Sequence, residues 1–358
     1  MLSLASIILG FMLIVIIHEL GHFLTAKAFG IAVEQFGIGF GPRLFGFKFR
    51  NTLFSFHPLP LGGFVKICGM APNEPVPEGV SGKPFYAARA YQKAIVLMAG
   101  VVLNVILGFA VFSTLFLTGR GAQPMVAEVA KNSPAEQAGL KPYDIITGFD
   151  DLEGFISHVK DHQGQTITLT VLRQVKSGIE NKTVTIAVPS IDSKIGISLA
   201  SAGFPHLSLV QSIKEAARLT VVLIVGILKF LMFLILGLFG ISVAPPPGAT
   251  GELQSIVGIG KIMFDIGQYN MLYQFFLLGQ ISINLAIFNI LPIPALDGGH
   301  ILMLIIEESK KLLGRLLGIK KWQGPLNPKV LNVINLIFFG LLLALGLVLI
   351  VRDIIRLN

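Results

Sequence analysis

The sequence predicts a polytopic α-helical membrane protein that carries a membrane-associated β-region and an inserted polar α+β domain. Three observations predict it. A 358-residue chain with 53% hydrophobic and 13% charged residues and a mean hydropathy of +0.76 is too apolar for an ordinary soluble fold. Four apolar runs, residues 4–26, 94–117, 271–291 and 330–351, are each long enough to cross about 30 Å of hydrocarbon as a helix, giving four core transmembrane helices. Residues 120–201 form a polar stretch with its own strand and turn punctuation, large enough at about 80 residues to fold alone.

The first run has no basic residue before Lys27, so it reads as a retained span with its N-terminus outside rather than a signal peptide. The loop that follows carries Lys27, Arg43, Lys48, Arg50, Lys66, Lys83, Arg89 and Lys93 against Glu34, Glu74 and Glu78, the signature of a cytoplasmic loop. Within it Phe45, Phe47 and Phe49 alternate with Gly46, Lys48 and Arg50, and Phe54 and Phe56 flank Ser55. A period of two predicts strands, punctuated by Gly37, Gly39, Gly41, Pro42, Pro58, Pro60, Gly62 and Gly63, with a greasy face toward the bilayer.

After the second span, residues 165–171 and 183–188 alternate as strands, and residues 133–140 read as a short capped helix ending in glycine. Residues 219–240 are apolar enough to span, interrupted by Lys229. Next come Pro245 to Gly248, a weakly amphipathic stretch over 252–267 and the third span, which runs into Pro292-Ile293-Pro294-Ala295-Leu296-Asp297-Gly298-Gly299-His300. Lys310, Lys311, Arg315, Lys320, Lys321 and Lys329 precede the last span and again mark a cytoplasmic connector. The expected boundaries are 1–118 for the first membrane half, 119–203 for the polar domain, 204–268 for an interfacial or re-entrant apolar segment, and 269–358 for the second membrane half.

The chemistry concentrates at His18-Glu19-Leu20-Gly21-His22. Residues four apart share one helix face, so His18 and His22 present two imidazoles to one metal while Glu19 lies beside it as a candidate base. A charged side chain at the centre of a membrane helix costs roughly 2.5–3.5 kcal/mol, and a bound Zn2+ ion offsets that. A catalytic zinc takes three protein ligands and keeps one position open. Asp297, at the end of an apolar run in a segment broken by proline and glycine, is the best third ligand; His300 and Asp265 are its rivals, and a helix cap is the plain alternative for an aspartate there. The lone cysteine, Cys68, excludes an intrachain disulfide and a thiolate zinc cluster.

Together, His18-Glu19-Leu20-Gly21-His22 and Asn289-Ile290-Leu291-Pro292-Ile293-Pro294-Ala295-Leu296-Asp297-Gly298 resemble the two signature motifs of the site-2 protease family of intramembrane zinc metalloproteases. Residues 36–41 and 60–66 are similar to that family's membrane-associated β-region, and the 133–140 stretch resembles a PDZ domain. The resemblance implies cleavage of peptide bonds within transmembrane proteins, either regulated proteolysis of an anti-sigma factor or clearance of signal-peptide remnants. It implies His18, His22 and Asp297 as zinc ligands, Glu19 as general base and Asn289 as a holder of the substrate backbone. It also implies a bacterial inner-membrane location with the zinc site toward the cytoplasm. The PDZ-like domain would then lie outside, binding peptide termini or gating substrates.

The chain departs from the family pattern in having room for one PDZ-like domain. Tyr143-Asp144 stands where Gly-Asp is usual, Phe149-Asp150-Asp151 replaces the common Asn-Gly turn, and Val101 follows Gly100 before Asn104. Alternative functions are a membrane zinc transporter and a catalytically inactive membrane-binding protein. The net charge of +8 is spread over loops rather than one face, so no nucleic-acid partner is expected; the bilayer is.

Overall fold

The computed structural model describes residues 4–70, 76–119, 123–175, 178–190, 194–238, 271–294 and 296–319, with scattered helical positions between 333 and 351. The chain divides into two compact units: one of residues 1–111, 217–268 and 276–358, the other of residues 112–216 and 269–275.

In the first unit, helix α1 (Leu4–Ala28) carries the paired histidines and helix α2 (Ala90–Thr118) follows the β-region. Both are apolar around their whole circumference, with Leu9, Leu13 and Leu24 of α1 and Ile95, Val102 and Ile106 of α2 turned outward, as expected for helices whose surroundings are apolar on every side. They approach closely because Gly21 of α1 lies against the α2 backbone: a Cβ there would stand 2.5 Å from the Ala99 carbonyl oxygen.

Between α1 and α2 lies a four-stranded sheet of β1 (Val33–Phe40), β2 (Phe45–Phe49), β3 (Thr52–Phe56) and β4 (Leu59–Ile67), in the order β2-β3-β1-β4. The β2–β3 hairpin turns through Arg50 and Asn51, both at positive φ (44° and 63°), the geometry that suits the right-handed twist of its strands. Phe45 and Phe47 stack on Phe56 and Phe54 across the hairpin. Phe45, Phe47 and Phe49 remain more than half exposed, an apolar row at the sheet's outer edge. The inner part packs on α1, where Phe23 meets Phe36 and Phe54 edge-on.

The anticipated β-structure over residues 36–56 is therefore present, but β1 and β3 are interior strands. β1 pairs in parallel with β3 and antiparallel with β4, so the sheet's free edges are β2 and β4.

The second unit holds a five-stranded antiparallel sheet, β5 (Gln123–Val129), β6 (Ile145–Ile146), β7 (Thr166–Val175), β8 (Gly178–Ala187) and β9 (Ile197–Ala202), in the order β8-β7-β6-β5-β9. Helices α3 (Pro134–Gln137) and α4 (Leu152–Asp161) complete it. Alternate residues Ile167, Leu169 and Val171 of β7 and Val184 and Ile186 of β8 are buried with Phe155 and Val159 of α4, the one-sided pattern of a half-covered sheet. Ser133 caps α3 by accepting the Glu136 amide at 3.2 Å, and Asp151 caps α4 by accepting the Gly154 amide at 2.7 Å.

Tyr143 sits at φ 71°. This left-handed conformation costs a non-glycine residue about 1–2 kcal/mol in backbone strain. Asp144 is held by the Arg173 guanidinium, with Nε to Oδ1 at 2.7 Å, and accepts the Lys141 amide at 2.8 Å.

Helix α5 (Leu209–Leu238) is one continuous helix that begins ten residues before the expected apolar run. With α1 and α2 it makes three helices long and apolar enough to cross a membrane among the described residues. Helices α6 (Met271–Ile290) and α7 (Asp297–Leu316) bracket the proline-rich loop. The Pro245–Gly248 turn, the 252–267 stretch and Asp265 lie outside the described residues, as does most of the last span; its described positions are helical.

Candidate metal centre

The site is built from α1, α2, the α6–α7 loop and β4. Helix α6 ends at Ile290, just before Leu291-Pro292, where proline disfavours a preceding helical residue. The loop is closed by Ile293 N–H to the Leu291 carbonyl at 2.7 Å and Leu296 N–H to the Ile293 carbonyl at 2.9 Å. Gly298 and Gly299 let α7 start tightly against it, since a Cβ on either would lie within 2.3 Å of a loop carbonyl oxygen, Leu291 for the first and Ile293 for the second.

Asp297 is the first residue of α7, while Leu296 occupies the cap position without a side-chain bond. The Asp297 carboxylate turns instead toward α1. Its Oδ2 lies 2.9 Å from His18 Nε2 and 3.3 Å from His22 Nε2, and the two Nε2 atoms are 3.2 Å apart. A tetrahedral ion with ligands at about 2.0–2.1 Å has ligand-to-ligand edges of about 3.3 Å, so this triangle matches one face of a zinc coordination shell.

His18, His22 and Asp297 form the one cluster of three or more histidine, cysteine or acidic side chains able to hold a metal ion among the described residues. The fold thus brings Asp297, the third ligand expected from the sequence, together with both histidines. His300, one turn further along α7, is not part of the cluster.

Helix α2 orients the histidines. His22 Nδ1 donates to the Val96 carbonyl at 2.7 Å, leaving Nε2 bare for a metal. This is the outer contact that fixes a ligating imidazole's tautomer. Gly100, one turn on, is where α2 passes the rings: a Cβ would stand 2.5 Å from His22 Nε2 and 2.7 Å from His18 Cε1. Asn104, a further turn on and fully buried, reaches His18 Nδ1 at 3.4 Å. Both histidines are about 95% buried.

Glu19 is turned to the other side of α1, toward β4. Its carboxylate accepts the Val65 backbone amide, and Gly63 passes close by, a Cβ there lying 3.9 Å from Glu19 Cγ. Gly62 clears Val15 in the same way, at 3.0 Å. The strand edge beside the candidate base is thus β4. Asn289, in the last turn of α6, places Nδ2 3.1 Å from His18 Nε2 and so stands at the rim of the triangle. The sequence motifs supplied His18, Glu19, His22, Asn289 and Asp297. They missed Val96, whose part is played by its backbone, and Val65 for the same reason.

A family model described as Peptidase family M50 matches residues 6–317. The chain belongs to peptidase family M50. It is 31% identical to a protein of Fusobacterium nucleatum over 96% of both chains, 30% identical to one of Clostridium perfringens over 97% of both, and 31% identical to one of Nostoc over 95% of this chain and 92% of the relative. All three relatives are named as zinc metalloproteases. Membership makes this a membrane metalloprotease family protein whose cofactor is zinc, and the donor set fits that ion: two bare imidazole nitrogens and one carboxylate oxygen on one small triangle.

The close passage of α2 gives a direct check. Gly100→Ala should lower zinc affinity by on the order of tenfold or more, as losses around metal ligands do. Gly226→Ala on α5, where a Cβ meets nothing within 4 Å, should leave it unchanged. Elemental analysis of the two purified proteins after limited chelation reads the difference.

Proposed function

We propose that this protein is an intramembrane zinc endopeptidase of the site-2 type, hydrolysing peptide bonds within transmembrane segments of other membrane proteins. An anti-sigma factor or a signal-peptide remnant is the kind of substrate meant. The observation that carries the reading is the convergence of His18 Nε2, His22 Nε2 and Asp297 Oδ2 within 3.3 Å of one another, on helices whose other faces are apolar. On this reading the three residues hold zinc, which when bound supplies Lewis acidity, acidifying water and polarising a carbonyl.

Glu19 takes the proton of the attacking water and delivers it to the leaving amide nitrogen, so one carboxylate serves as base and then as acid. Asn289, with its amide at the rim of the site, bonds the substrate backbone. A substrate helix must first unwind locally, because its amides and carbonyls are already paired with each other. The free edge of β4 beside Glu19 receives the unwound segment as an added strand.

Transport fits less well. Conduction needs sites weak enough to release the ion, whereas His22 is anchored through Val96 and Asp297 is fixed at a tightly packed helix start.

The second unit fits a PDZ-like role in choosing substrates. A cavity of about 690 Å³ lies between α4 and β9, lined by Phe155, Ile156 and Val159 on one side and Ile195, Ile197 and Leu199 on the other. Because β9 is an edge strand, an extended peptide can add to it while its side chains enter the apolar groove. Photo-crosslinkers at Phe64 of β4 and Ile156 of α4 should trap substrate, one through its transmembrane segment and the other through its polar flank. A crosslinker at Phe47 of β2 should not. Trapping from Phe47 alone would reject β4 as the receiving edge.

The catalytic assignment is tested by Glu19→Gln and Asp297→Ala. Glu19→Gln is expected to keep zinc and lose cleavage of a transmembrane substrate, because an amide is no base. Asp297→Ala is expected to lose the metal itself. Turnover by the first variant, or full zinc occupancy in the second, would refute the assigned roles.

The proposed ligand set also constrains topology. If α1 brings the histidines toward the cytoplasmic side and α2 returns the chain outside, a single crossing by α5 would put Asp297 on the wrong side of a bilayer about 30 Å thick. Ligand atoms must lie about 2 Å from the metal. On this proposal α5 lies in the outer interface or re-enters, with Lys229 reaching the headgroups. Single cysteines at Ser208, Ser242 and Ser255 in a Cys68→Ser background should all react with an impermeant thiol reagent from outside. Reaction at Ser242 and Ser255 only from the cytoplasmic side would overturn both this topology and Asp297 as a ligand.

A further inference from the structure

Asn104 is fully buried on α2, and its Oδ1 is the one buried side-chain oxygen or nitrogen without a hydrogen-bond partner among the described residues. Its Nδ2 faces His18 Nδ1 at 3.4 Å. A buried asparagine between helices is ordinarily explained as glue, its amide bonding a neighbouring helix. That explanation does not account for the side chain here, because the bond from α6, Ser282 Oγ at 2.8 Å, is accepted by the Asn104 backbone carbonyl.

Proton placement accounts for it. His18 turns Nε2 toward His22 and Asp297. A nitrogen that ligates zinc carries no proton, so the proton of a neutral His18 imidazole sits on Nδ1. With the amide as placed, that N–H would point at another N–H, and three polar groups would go unsatisfied: the ring N–H, the amide N–H and the amide oxygen. Rotating the amide by half a turn exchanges two groups of nearly equal size. The oxygen then accepts the ring N–H, and only the amide nitrogen is left without a protein partner.

We infer that Asn104 is a positioning residue whose side-chain oxygen accepts the Nδ1–H of His18 and so fixes the tautomer that offers Nε2 to zinc. Helix α2 then serves both ligands from one face. Residue 96 takes the His22 proton on its backbone oxygen, residue 100 clears the rings, and residue 104 takes the His18 proton on its side chain. The inference rests on His18 being a zinc ligand, as proposed above, and its test reads metal rather than proteolysis.

The full chain, purified in detergent and loaded with zinc, is titrated with a competing chelator, and the zinc retained is measured for wild type, Asn104→Asp and Asn104→Leu. Aspartate keeps the acceptor and removes the donor; leucine has similar bulk and offers neither. Asn104→Asp should hold zinc within a few-fold of wild type, and Asn104→Leu should hold it about 10–100-fold more weakly. An aspartate variant weakened as much as the expected leucine variant would overturn the inference by itself, even if leucine prevented folding, since it would show that the amide donor matters. Equal retention by leucine and wild type would overturn it as well. A wild-type chain that takes up no zinc would remove the ligand assignment beneath it.

Discussion

Everything in the first unit depends on bringing three donor atoms, two from α1 and one from the start of α7 about 280 residues later, to within 3.3 Å of each other in apolar surroundings. A charge held at mid-membrane depth is costly when alone, and such a cluster persists only if the ionisable groups in it face one another. The packing supplies that by removing side chains where backbones must approach. Gly21 and Gly100 bring α2 onto the face of α1 that bears the histidines, and Gly298 and Gly299 fold the start of α7 under its own loop. At each of these positions a single Cβ would stand less than 3 Å from a ring atom or a backbone atom, so the glycines are steric conditions of the site rather than sources of flexibility.

The same helix divides its labour by face. His18, Gly21 and His22 look toward α2 and Asp297, while Val15, Ile16 and Glu19 look toward β4. Glu19 is thereby kept out of the ligand triangle although it neighbours His18 in sequence, and its carboxylate is steadied by the Val65 amide. A base must reach water and a leaving nitrogen, not the metal, and an i+1 position on a helix points about 100° away from its neighbour. The sheet contributes an edge at that side of α1, which gives the proposed substrate strand a template next to the proposed base.

How much of this was legible in the sequence depended on whether the signal was local. His18, Glu19, His22 and Asp297 stood out because such residues are expensive beside apolar runs, and the alternation of Phe45, Phe47 and Phe49 marked a strand. Which strands are edges did not follow, because that is decided by the parallel pairing of β1 with β3, a crossover that no periodicity records. The Arg50-Asn51 turn lacks the glycine that usually marks a tight hairpin and reaches positive φ all the same. Asn104 is visible as a polar residue in an apolar run, but nothing local points to the ring it faces, which lies 86 residues away. Val96 could not be seen at all, because any residue there has a carbonyl.

Hydropathy alone treats α1, α2 and α5 alike, as three helices able to cross. Their polar residues do not. Among the buried polar side chains of α1 and α2, His18, His22 and Asn104 point into one shared cluster, so these helices are tied to each other and to Asp297; Lys93, near the start of α2, lies over the Phe85 ring instead. On α5, Leu209, Val210, Val221, Val222 and Met232 are outward and apolar, and Lys229 is exposed among them. A helix with nothing to contribute to the cluster is free to cross, dip or lie flat as far as apolar surface is concerned. Under the proposed ligation, the position of such a helix is set by parity: about 2 Å from metal to ligand cannot be reconciled with an odd number of extra crossings between His22 and Asp297. A short-range chemical distance then decides a long-range feature of the chain that its apolar composition leaves open.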